Sequence, residues 1–339
     1  EGKTNKSGDS IQWIYGYNKN GILPMRYVND ENRDPTPDEM NADWTARMIK
    51  SLASKTLEKP FFLAVGFLRP HTPLIAPQKY FDRFPLDKIE VTLKKDQDQE
   101  DTYLEVSYEK GQVFTLEMGV KMFDEIAASY GNEEVGLKRW TQAYLACVSA
   151  VDENVGQVMK ALNDSHLKDN TMVILASDHG FHMGEKDYLY KNSLWEKSTR
   201  VPLIMRVPGV TKASTSIDKA VSLIDVYPTL IDLCGLSSKT QKNEKGHSID
   251  GYSMRELLEN PNAKSWKGDR PALTVVYAGG KYKGKAEMQH YAIKTDRYRY
   301  ILYNNGREEL YDHQDDPNEW TNLVLRDADT SLLIDLRNK

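Results

Sequence analysis

TMVILASDHGFHMGEKDYLYK, residues 171–191, begins as an apolar run and continues as a polar loop. Its first part, residues 171–178, has the length and the continuous hydrophobicity of a strand that is buried on both faces. Asp178, His179 and Gly180 follow where this strand should end. Because ligands of open α/β sheets bind beyond the carboxyl ends of the strands, the pattern indicates a site in this loop.

Apolar segments of the same kind flank this strand. We predict further buried strands at 60–68 and 201–209, and helices at 41–55 (capped by Asp43), 137–162 and 224–235 (ended by Gly235). The alternation predicts an α/β domain with a mostly parallel mixed sheet and helices on both faces. We predict a loop at 1–40 and an irregular surface insertion at 86–136.

The pattern of apolar and turn residues changes after about residue 265. Four short, aromatic-rich segments, ALTVVY, HYAIKT, RYRYILY and EELYDH, carry turn residues such as NNG between them. They predict a small antiparallel sheet, and LLIDLRNK predicts a closing helix. We therefore expect a catalytic α/β domain at 1–264 and a C-terminal subdomain at 265–339.

The composition and net charge of the chain indicate which classes of partner to expect. The 339 residues are 40% hydrophobic and carry a net charge of −5, with Lys and Arg dispersed, so a nucleic-acid partner is not expected. The sequence contains no apolar run long enough to span a membrane. Its two cysteines, Cys147 and Cys234, have no metal-site spacing, and Cys147 lies in an apolar helical pattern that predicts a buried thiol.

Asp178 and His179 together offer one oxygen and one nitrogen donor to a cation. Gly180 lets the chain turn away without a Cβ atom. Oxygen-rich ligand sets favour Ca²⁺ or Mg²⁺, and more nitrogen favours Zn²⁺. The alternative is that Asp178 caps the next segment and that His179 is an ordinary hydrogen-bonded polar residue.

Lys191 and His71 extend the candidate site. Lys191 is a compact positive charge suited to an anionic oxygen, and His71 lies in a proline-rich loop after a different predicted strand. Alone, each is an ordinary surface lysine or loop histidine. Together with a cation held by Asp178 and His179, they would form a pocket for a tetrahedral oxyanion ester.

The segments that carry these residues resemble sulfatases of the alkaline-phosphatase-like superfamily. The resemblance rests on FFLAVGFLRPHTPL, YLACVSAVDENVGQVMKAL, SDHGFHMGEKDYLYKNSLWEKSTRVPLIMRVPG and IKTDRYRYILYNNGREELYDHQDDPNEWTNL. It covers residues 41–325, and within the family it is similar to iduronate-2-sulfatase-like enzymes.

The resemblance implies a role for each candidate residue. Asp178 and His179 match calcium ligands of the family, and Lys191 matches the lysine that contacts the sulfate group. His71 matches a histidine that binds the sulfate and protonates the leaving oxygen. His182 matches a pocket histidine of some members. The alternative for His182 is that it ties down the turn together with Glu185.

The sequence departs from the family at its nucleophile. Sulfatases of this family use a formylglycine made from a Cys/Ser-x-Pro-x-Arg motif, an Asp-Asp pair that completes the metal site, and a Gly-Lys-x-x-His segment. The formylglycine motif and the Gly-Lys-x-x-His segment do not occur in the chain, and no Asp-Asp pair lies near its N-terminus, where the family has it. We therefore expect an α/β fold that is incomplete at its N-terminus, and either self-association or a missing N-terminal chain as partner.

These expectations combine into one functional prediction. The intact protein should be a calcium-dependent sulfatase that hydrolyses a sulfate ester of a sugar or glycosaminoglycan, while this chain alone should be inactive. The alternatives are a phosphatase or phosphonate-ester hydrolase of the same superfamily, and a non-catalytic remnant that binds sulfate or sugar. The resemblance implies a periplasmic, secreted or lysosomal location.

Overall fold

The computed structural model describes residues 35–102, 115–239, 241, 243–277, 284–326 and 329–339, and the backbone of four two-residue strands before them. The four strands form two antiparallel pairs, namely β1 (Lys3–Thr4) with β2 (Ser10–Ile11) and β3 (Tyr17–Asn18) with β4 (Gly21–Ile22). The rest of the loop predicted at 1–40 lies outside the described residues up to residue 34.

Helix α1 (Pro37–Ala53) begins four residues before the predicted start. Asp43 is not its cap, because Thr36 and Glu39 form a capping box: Glu39 N–H donates to Thr36 Oγ1 at 3.2 Å, and Thr36 N–H donates to the Glu39 carboxylate at 2.7 Å. Pro37 occupies the first helical position, where its missing N–H costs nothing.

Helix α4 (Glu133–Asn163) confirms the long predicted helix and extends it at its start, where Asn132 caps the first turn. Helices α1 and the short α2 (Gln78–Phe81) both pack against α4. The contact between α1 and α4 buries a small-residue face that includes Ala42, Ala46, Ala143, Ala146 and Ala150.

The insertion predicted at 86–136 is not irregular throughout. It contains helix α3 (Thr115–Tyr130), which buries Met122, Phe123 and Ile126. Apolar residues at spacings of three and four supply its buried face, a signal that the surrounding charged residues obscured. Residues 103–114 of this insertion lie outside the described part of the chain.

The segment 60–68 is not assigned as a strand, contrary to the prediction. Burial alternates along it, so that Phe61, Leu63 and Val65 are partly covered while the Phe62 side chain is 82% exposed. A period of two is typical of extended chain with one open face, rather than of a strand buried on both faces.

Strands β5 (Val173–Ala176) and β6 (Leu203–Arg206) lie at two of the predicted positions. They pair antiparallel, with Val173 opposite Arg206, which is a pairing that a mixed sheet contains. A chain reversal through the intervening loop, including helix α5 (Glu196–Thr199), brings the two strands together.

Helix α6 (Val226–Leu233) ends where predicted. Gly235 adopts φ +62°, and the Leu236 N–H donates to the Ile231 carbonyl oxygen at 2.9 Å, which terminates the helix. Helix α7 (Arg255–Glu259) follows. Met254, Leu257 and Trp266 form an apolar core with side chains of β6 and α6, namely Leu203, Met205 and Val226.

The C-terminal antiparallel sheet is confirmed. Its strands, in the spatial order β10-β9-β8-β7, are β7 (Ala272–Val276), β8 (His290–Lys294), β9 (Tyr298–Leu302) and β10 (Glu308–Asp312). The predicted closing helix is α8 (Thr330–Asn338), and its Leu333 and Leu336 pack on Tyr300 and Leu310 of the sheet.

The chain forms two compact units that interleave along the sequence. The first comprises Glu1–Leu93, Val120–Thr171 and Met183–Tyr188, and the second comprises Lys94–Gly119, Met172–His182 and Leu189–Lys339. The domain boundary predicted at residues 264 and 265 stays a prediction. None of the described helices combines the length and the hydrophobicity needed to cross a membrane.

Candidate functional site

Asp178 lies directly beyond β5, at the strand end from which the site was predicted. Its Oδ1 atom accepts the His179 N–H at 3.0 Å, while its Oδ2 atom lies 3.6 Å from Nε2 of the His179 ring. The Asp178 side chain is 85% exposed and that of His179 is 32% exposed. The structure thus brings one carboxylate oxygen and one imidazole nitrogen together at an accessible corner.

This corner fits part of a cation site. Nδ1 of His179 lies 2.8 Å from the Gly180 carbonyl oxygen, which can only accept, so Nδ1 donates to this oxygen. Metal-binding histidines commonly hold their second ring nitrogen in this way. Two donors 3.6 Å apart can share one ion, but calcium takes six to eight ligands, so the rest must come from other residues.

Gly180 is required by a close backbone approach. Its N–H donates to the carbonyl oxygen of Ser198 at 2.8 Å, and a Cβ atom at this position would lie 2.1 Å from the carbonyl oxygen of Lys197. The chain turns away after His179 by packing against helix α5, so the expectation of a Cβ-free turn is confirmed.

His182 is buried and hydrogen-bonded. Its Nε2 lies 3.0 Å from Ser193 Oγ, which donates to Ser198 Oγ at 2.8 Å, and its ring contacts Trp195 edge-on at 5.7 Å between centroids. Only 1% of His182 is exposed. These contacts support the alternative in which His182 ties down the turn, and its contact with substrate stays a prediction.

Glu185 also stabilises the turn within its own unit. Its carboxylate accepts the Met183 N–H at 2.7 Å and the Thr92 hydroxyl at 2.6 Å. A carboxylate that holds a backbone N–H and a hydroxyl has the role that the alternative assigned to it.

Lys191 is partly buried and directly follows Tyr190, whose backbone carbonyl joins the two sides of the loop. His182 N–H donates to the Tyr190 carbonyl oxygen at 2.9 Å, and the rings of Phe181 and Tyr190 contact edge-on at 6.4 Å between centroids. Lys191 therefore belongs to the same folded loop as Asp178 and His179. Its contact with sulfate stays a prediction.

His71 is exposed and lies in the first unit. Its Nδ1 donates to the Thr72 carbonyl oxygen at 2.6 Å. The loop contains cis peptide bonds before Pro70 and Pro73. Because Lys191 belongs to the second unit, a joint site with His71 remains a prediction.

A buried carboxylate holds the start of the His71 loop. Asp38, in the first turn of α1 and 3% exposed, accepts the N–H groups of Leu68 and Arg69 at 2.7 and 2.9 Å. Arg69 in turn donates through Nη1 to the carbonyl oxygen of His71 at 2.8 Å. Asp38 was not singled out from the sequence, where only its position in a helical first turn gave a signal.

A second group that the sequence did not reveal surrounds Arg299 of β9. Glu196, His313 and Glu319 place donor atoms within 4.8 Å of one another, as a metal site would. The guanidinium of Arg299 already pairs with Glu196 and lies 2.7 Å from Glu319 Oε1, so the positive charge of this cluster comes from the protein. The arrangement is a buried ion-pair network.

Glu319 remains ionised in this network. Burial alone raises the pKa of Glu319, but the charge of Arg299 and the hydrogen bond from His313 at 2.9 Å outweigh it and hold the pKa at about 2. The sequence offered a signal only for Arg299 and His313, which are charged or polar residues within the aromatic segments RYRYILY and EELYDH.

Cys147 is fully buried within α4, as predicted, and burial raises the pKa of its thiol to about 12. A thiol in such surroundings is a poor nucleophile. Cys147 therefore offers no substitute for the nucleophile motif that the sequence lacks, and Cys234 is exposed at the end of α6.

Family models match nearly the whole chain. The model described as Sulfatase matches residues 3–236, which is more than half of the chain. The chain belongs to the sulfatase family. A second model, described as N-sulphoglucosamine sulphohydrolase, C-terminal, matches residues 184–339. In this sulfatase chain the Asp178–Lys191 loop lies within the match to the first model, and the C-terminal sheet lies within the match to the second.

Curated relatives are also sulfatases. A sulfatase of Formosa agariphila is 35% identical over 84% of this chain and 50% of its own length. Mouse iduronate 2-sulfatase is 27% identical over 81% of this chain and 57% of its own. The chain thus spans about half the length of these relatives.

Solved structures share the fold. One, in complex with its substrate D-glucosamine-2-N,6-O-disulfate, has a TM-score of 0.65 at 19% identity and covers 99% of this chain and 74% of its own. The phosphonate monoester hydrolase of Agrobacterium radiobacter has a TM-score of 0.67 at 22% identity, covering 98% and 64%. The likeness confirms the predicted alkaline-phosphatase-like α/β class.

Proposed function

We propose that the protein containing this chain hydrolyses sulfate esters. The observation that carries the proposal is the convergence of Asp178 Oδ2 and His179 Nε2 at 3.6 Å, in the loop that also carries Lys191, within a chain of the sulfatase family. A carboxylate, an imidazole and an ammonium in one loop suit a cation and an anionic ester bound side by side.

Each candidate residue has a distinct task in this proposal. Asp178 and His179 would hold a calcium ion, which supplies positive charge to the sulfate oxygens when bound. Lys191 would pair with a sulfate oxygen through a charge-assisted hydrogen bond. His71 would protonate the departing alcohol.

The attacking group would come from outside these 339 residues. No Cys/Ser-x-Pro-x-Arg motif occurs in the chain, and the Cys147 thiol is buried. A formylglycine on a further segment or on a partner chain would supply the attacking oxygen. This chain alone would accordingly bind sulfate without turning over an ester.

The proposed substrate is a sulfated sugar, such as a glycosaminoglycan unit. Support comes from the C-terminal match to N-sulphoglucosamine sulphohydrolase and from the structural relative solved with D-glucosamine-2-N,6-O-disulfate. We place the protein in the periplasm, outside the cell or in a lysosome, where such substrates are degraded.

A second candidate is hydrolysis of phosphate or phosphonate monoesters. The structural likeness to phosphonate monoester hydrolase favours it, because sulfate, phosphate and phosphonate are all tetrahedral oxyanions. The loop residues alone discriminate poorly among these groups, so the relative rates at which the protein hydrolyses the three kinds of ester decide the reaction class.

The test is a comparison of three aryl esters with the native full-length protein, purified from its own gene with a formylglycine-generating enzyme present. We expect turnover of 4-nitrophenyl sulfate that exceeds that of 4-nitrophenyl phosphate and of the phenylphosphonate monoester, and loss of turnover with EDTA that calcium restores. Faster turnover of the phosphonate would favour the second candidate. Sulfate binding without turnover of any ester would establish a non-catalytic remnant.

A further inference from the structure

The two faces of the C-terminal sheet have different surroundings. Tyr300 pairs with Leu310 across β9 and β10, and both pack under helix α8. Arg299 and Glu309 lie on the opposite face, because successive residues of a strand alternate between faces. Both are almost completely buried, at 2% and 1% exposure, which is unusual for charged residues and calls for specific partners.

Glu309 binds the loop that follows Lys191. Its carboxylate accepts the indole N–H of Trp195 at 2.8 Å and the hydroxyls of Tyr303 and Tyr311 at 3.0 and 2.9 Å. Trp195 is itself 1% exposed and lies only four residues after Lys191. The indole therefore fixes the chain close to Lys191 onto the sheet.

Arg299 holds the next residues of the same loop. Its Nη1 donates to the Leu194 carbonyl oxygen at 3.1 Å, and its Nη2 pairs with the Glu196 carboxylate. Glu319 accepts the Glu196 N–H at 2.8 Å and also pairs with Arg299. Three consecutive loop residues, 194 to 196, are thus bound to groups of the C-terminal sheet and of the chain after it.

The contacts of Glu196 also affect the position of Asp178 and His179. Glu196 is the first residue of α5, and the carbonyl oxygens of Lys197 and Ser198 in α5 form the surface against which Gly180 packs. A displacement of α5 would therefore move Gly180 and with it the two preceding residues.

We propose that Arg299 and Glu309 are positioning residues that place Lys191 and the Asp178–His179 corner through Trp195 and α5. Neither side chain contacts the proposed substrate. The inference rests on the proposed function for its consequence, since a sulfate contact depends on placement to within about 0.5 Å. The C-terminal sheet is then part of the sulfate site's support.

The test compares Glu309→Gln with Glu308→Gln in the native full-length protein. Glu308 is the adjacent residue on the other sheet face, where it pairs with Arg337 of α8. Hydrogen exchange of residues 177–182 and 189–199 reports loop placement, and protection of Lys191 from reductive methylation by inorganic sulfate reports the site. We expect Glu309→Gln to raise exchange in both segments and weaken sulfate protection, each by about tenfold, with Glu308→Gln within about twofold of wild type.

Unchanged exchange in folded Glu309→Gln would overturn the proposal. Should that variant fail to fold, Trp195→Phe removes the indole N–H that Glu309 accepts, together with part of the ring, and is tested with the same two readouts. Wild-type exchange and protection in this variant would equally overturn the proposal. Absence of sulfate protection in the wild type would contradict the proposed function, while the exchange comparison would still decide the positioning roles.

Discussion

The loop of His71 and the loop of Lys191 carry similar polar groups but are anchored differently. The His71 loop is anchored by Asp38, a single buried carboxylate that accepts two backbone N–H groups. The Lys191 loop is anchored by Arg299 and Glu309, more than one hundred residues later in the chain. The difference shows that a loop rich in functional groups can depend on a distant part of the sequence for its shape.

The largest effect expected from this comparison is at Arg299. Arg299→Met leaves Glu196 and Glu319 buried without their cation, and breaking a buried pair from one side costs about 3–5 kcal/mol. Urea unfolding should show this loss in the free energy of unfolding. The matched control is Arg297→Met, which breaks a more exposed pair with Asp312 and should cost clearly less than Arg299→Met. Equal losses in the two variants would remove the distinction between the anchors.

Gly180 provides the next largest effect. Gly180→Ala places a Cβ atom against the carbonyl oxygen of Lys197, so the loop or α5 must shift, at a cost of about 1–3 kcal/mol. Thermal unfolding measures the loss. The control is Gly156→Ala in α4, where a Cβ meets nothing within 4 Å and helix propensity favours alanine. A stabilised Gly180→Ala protein would show that the close approach is wrong.

Asp38 tests the simpler anchor. Asp38→Asn replaces a charged acceptor of two backbone N–H groups by an amide, which should cost about 1–2 kcal/mol and raise hydrogen exchange at residues 68–72. Asp43→Asn, on the exposed side of the same helix, is the control and should leave both quantities near wild type. Exchange at residues 189–199 should remain unchanged, because that loop has its own anchor.

The last expected effect is the pH dependence of stability that Glu319 confers, which appears only below about pH 4.5. Its pKa is about 2 in the folded protein, below the ordinary value of 4.5, so its contribution to stability is complete above about pH 4.5 and is lost as the pH falls toward 2. Unfolding free energies measured from pH 5 to pH 2 should fall less steeply in Glu319→Gln than in the wild type. Parallel pH profiles would contradict an ionised Glu319.

Sequence patterns over a few neighbouring residues correctly predicted several helices and strands. The long helix α4, the stop at Gly235 and the four C-terminal strands follow from periodicity and turn residues. The chain at 60–68 was predicted wrongly, because hydrophobicity alone does not tell whether a neighbouring strand exists. The antiparallel pairing of β5 and β6 likewise depends on the path of the loop between them.

The candidate site shows the same limit. Asp178, His179 and Gly180 are adjacent in sequence, so their juxtaposition and the need for glycine could be predicted. The roles of Arg299, Glu309 and the partners of Trp195 could not, since they arise from tertiary contacts over more than one hundred residues. His182 illustrates the converse, because a histidine near a site can be a buried structural residue.

The central claim is that Lys191 binds the sulfate group, and one measurement tests it most directly. Turnover of 4-nitrophenyl sulfate by the native full-length protein is compared for wild type, Lys191→Ala and Lys197→Ala, the last being an exposed lysine six residues further on. Loss of a charge-assisted contact to the transition state should lower kcat/KM by about 30- to 150-fold, equivalent to about 2–3 kcal/mol, in Lys191→Ala alone. Wild-type kcat/KM in Lys191→Ala, or an equal loss in both variants, would contradict the assignment.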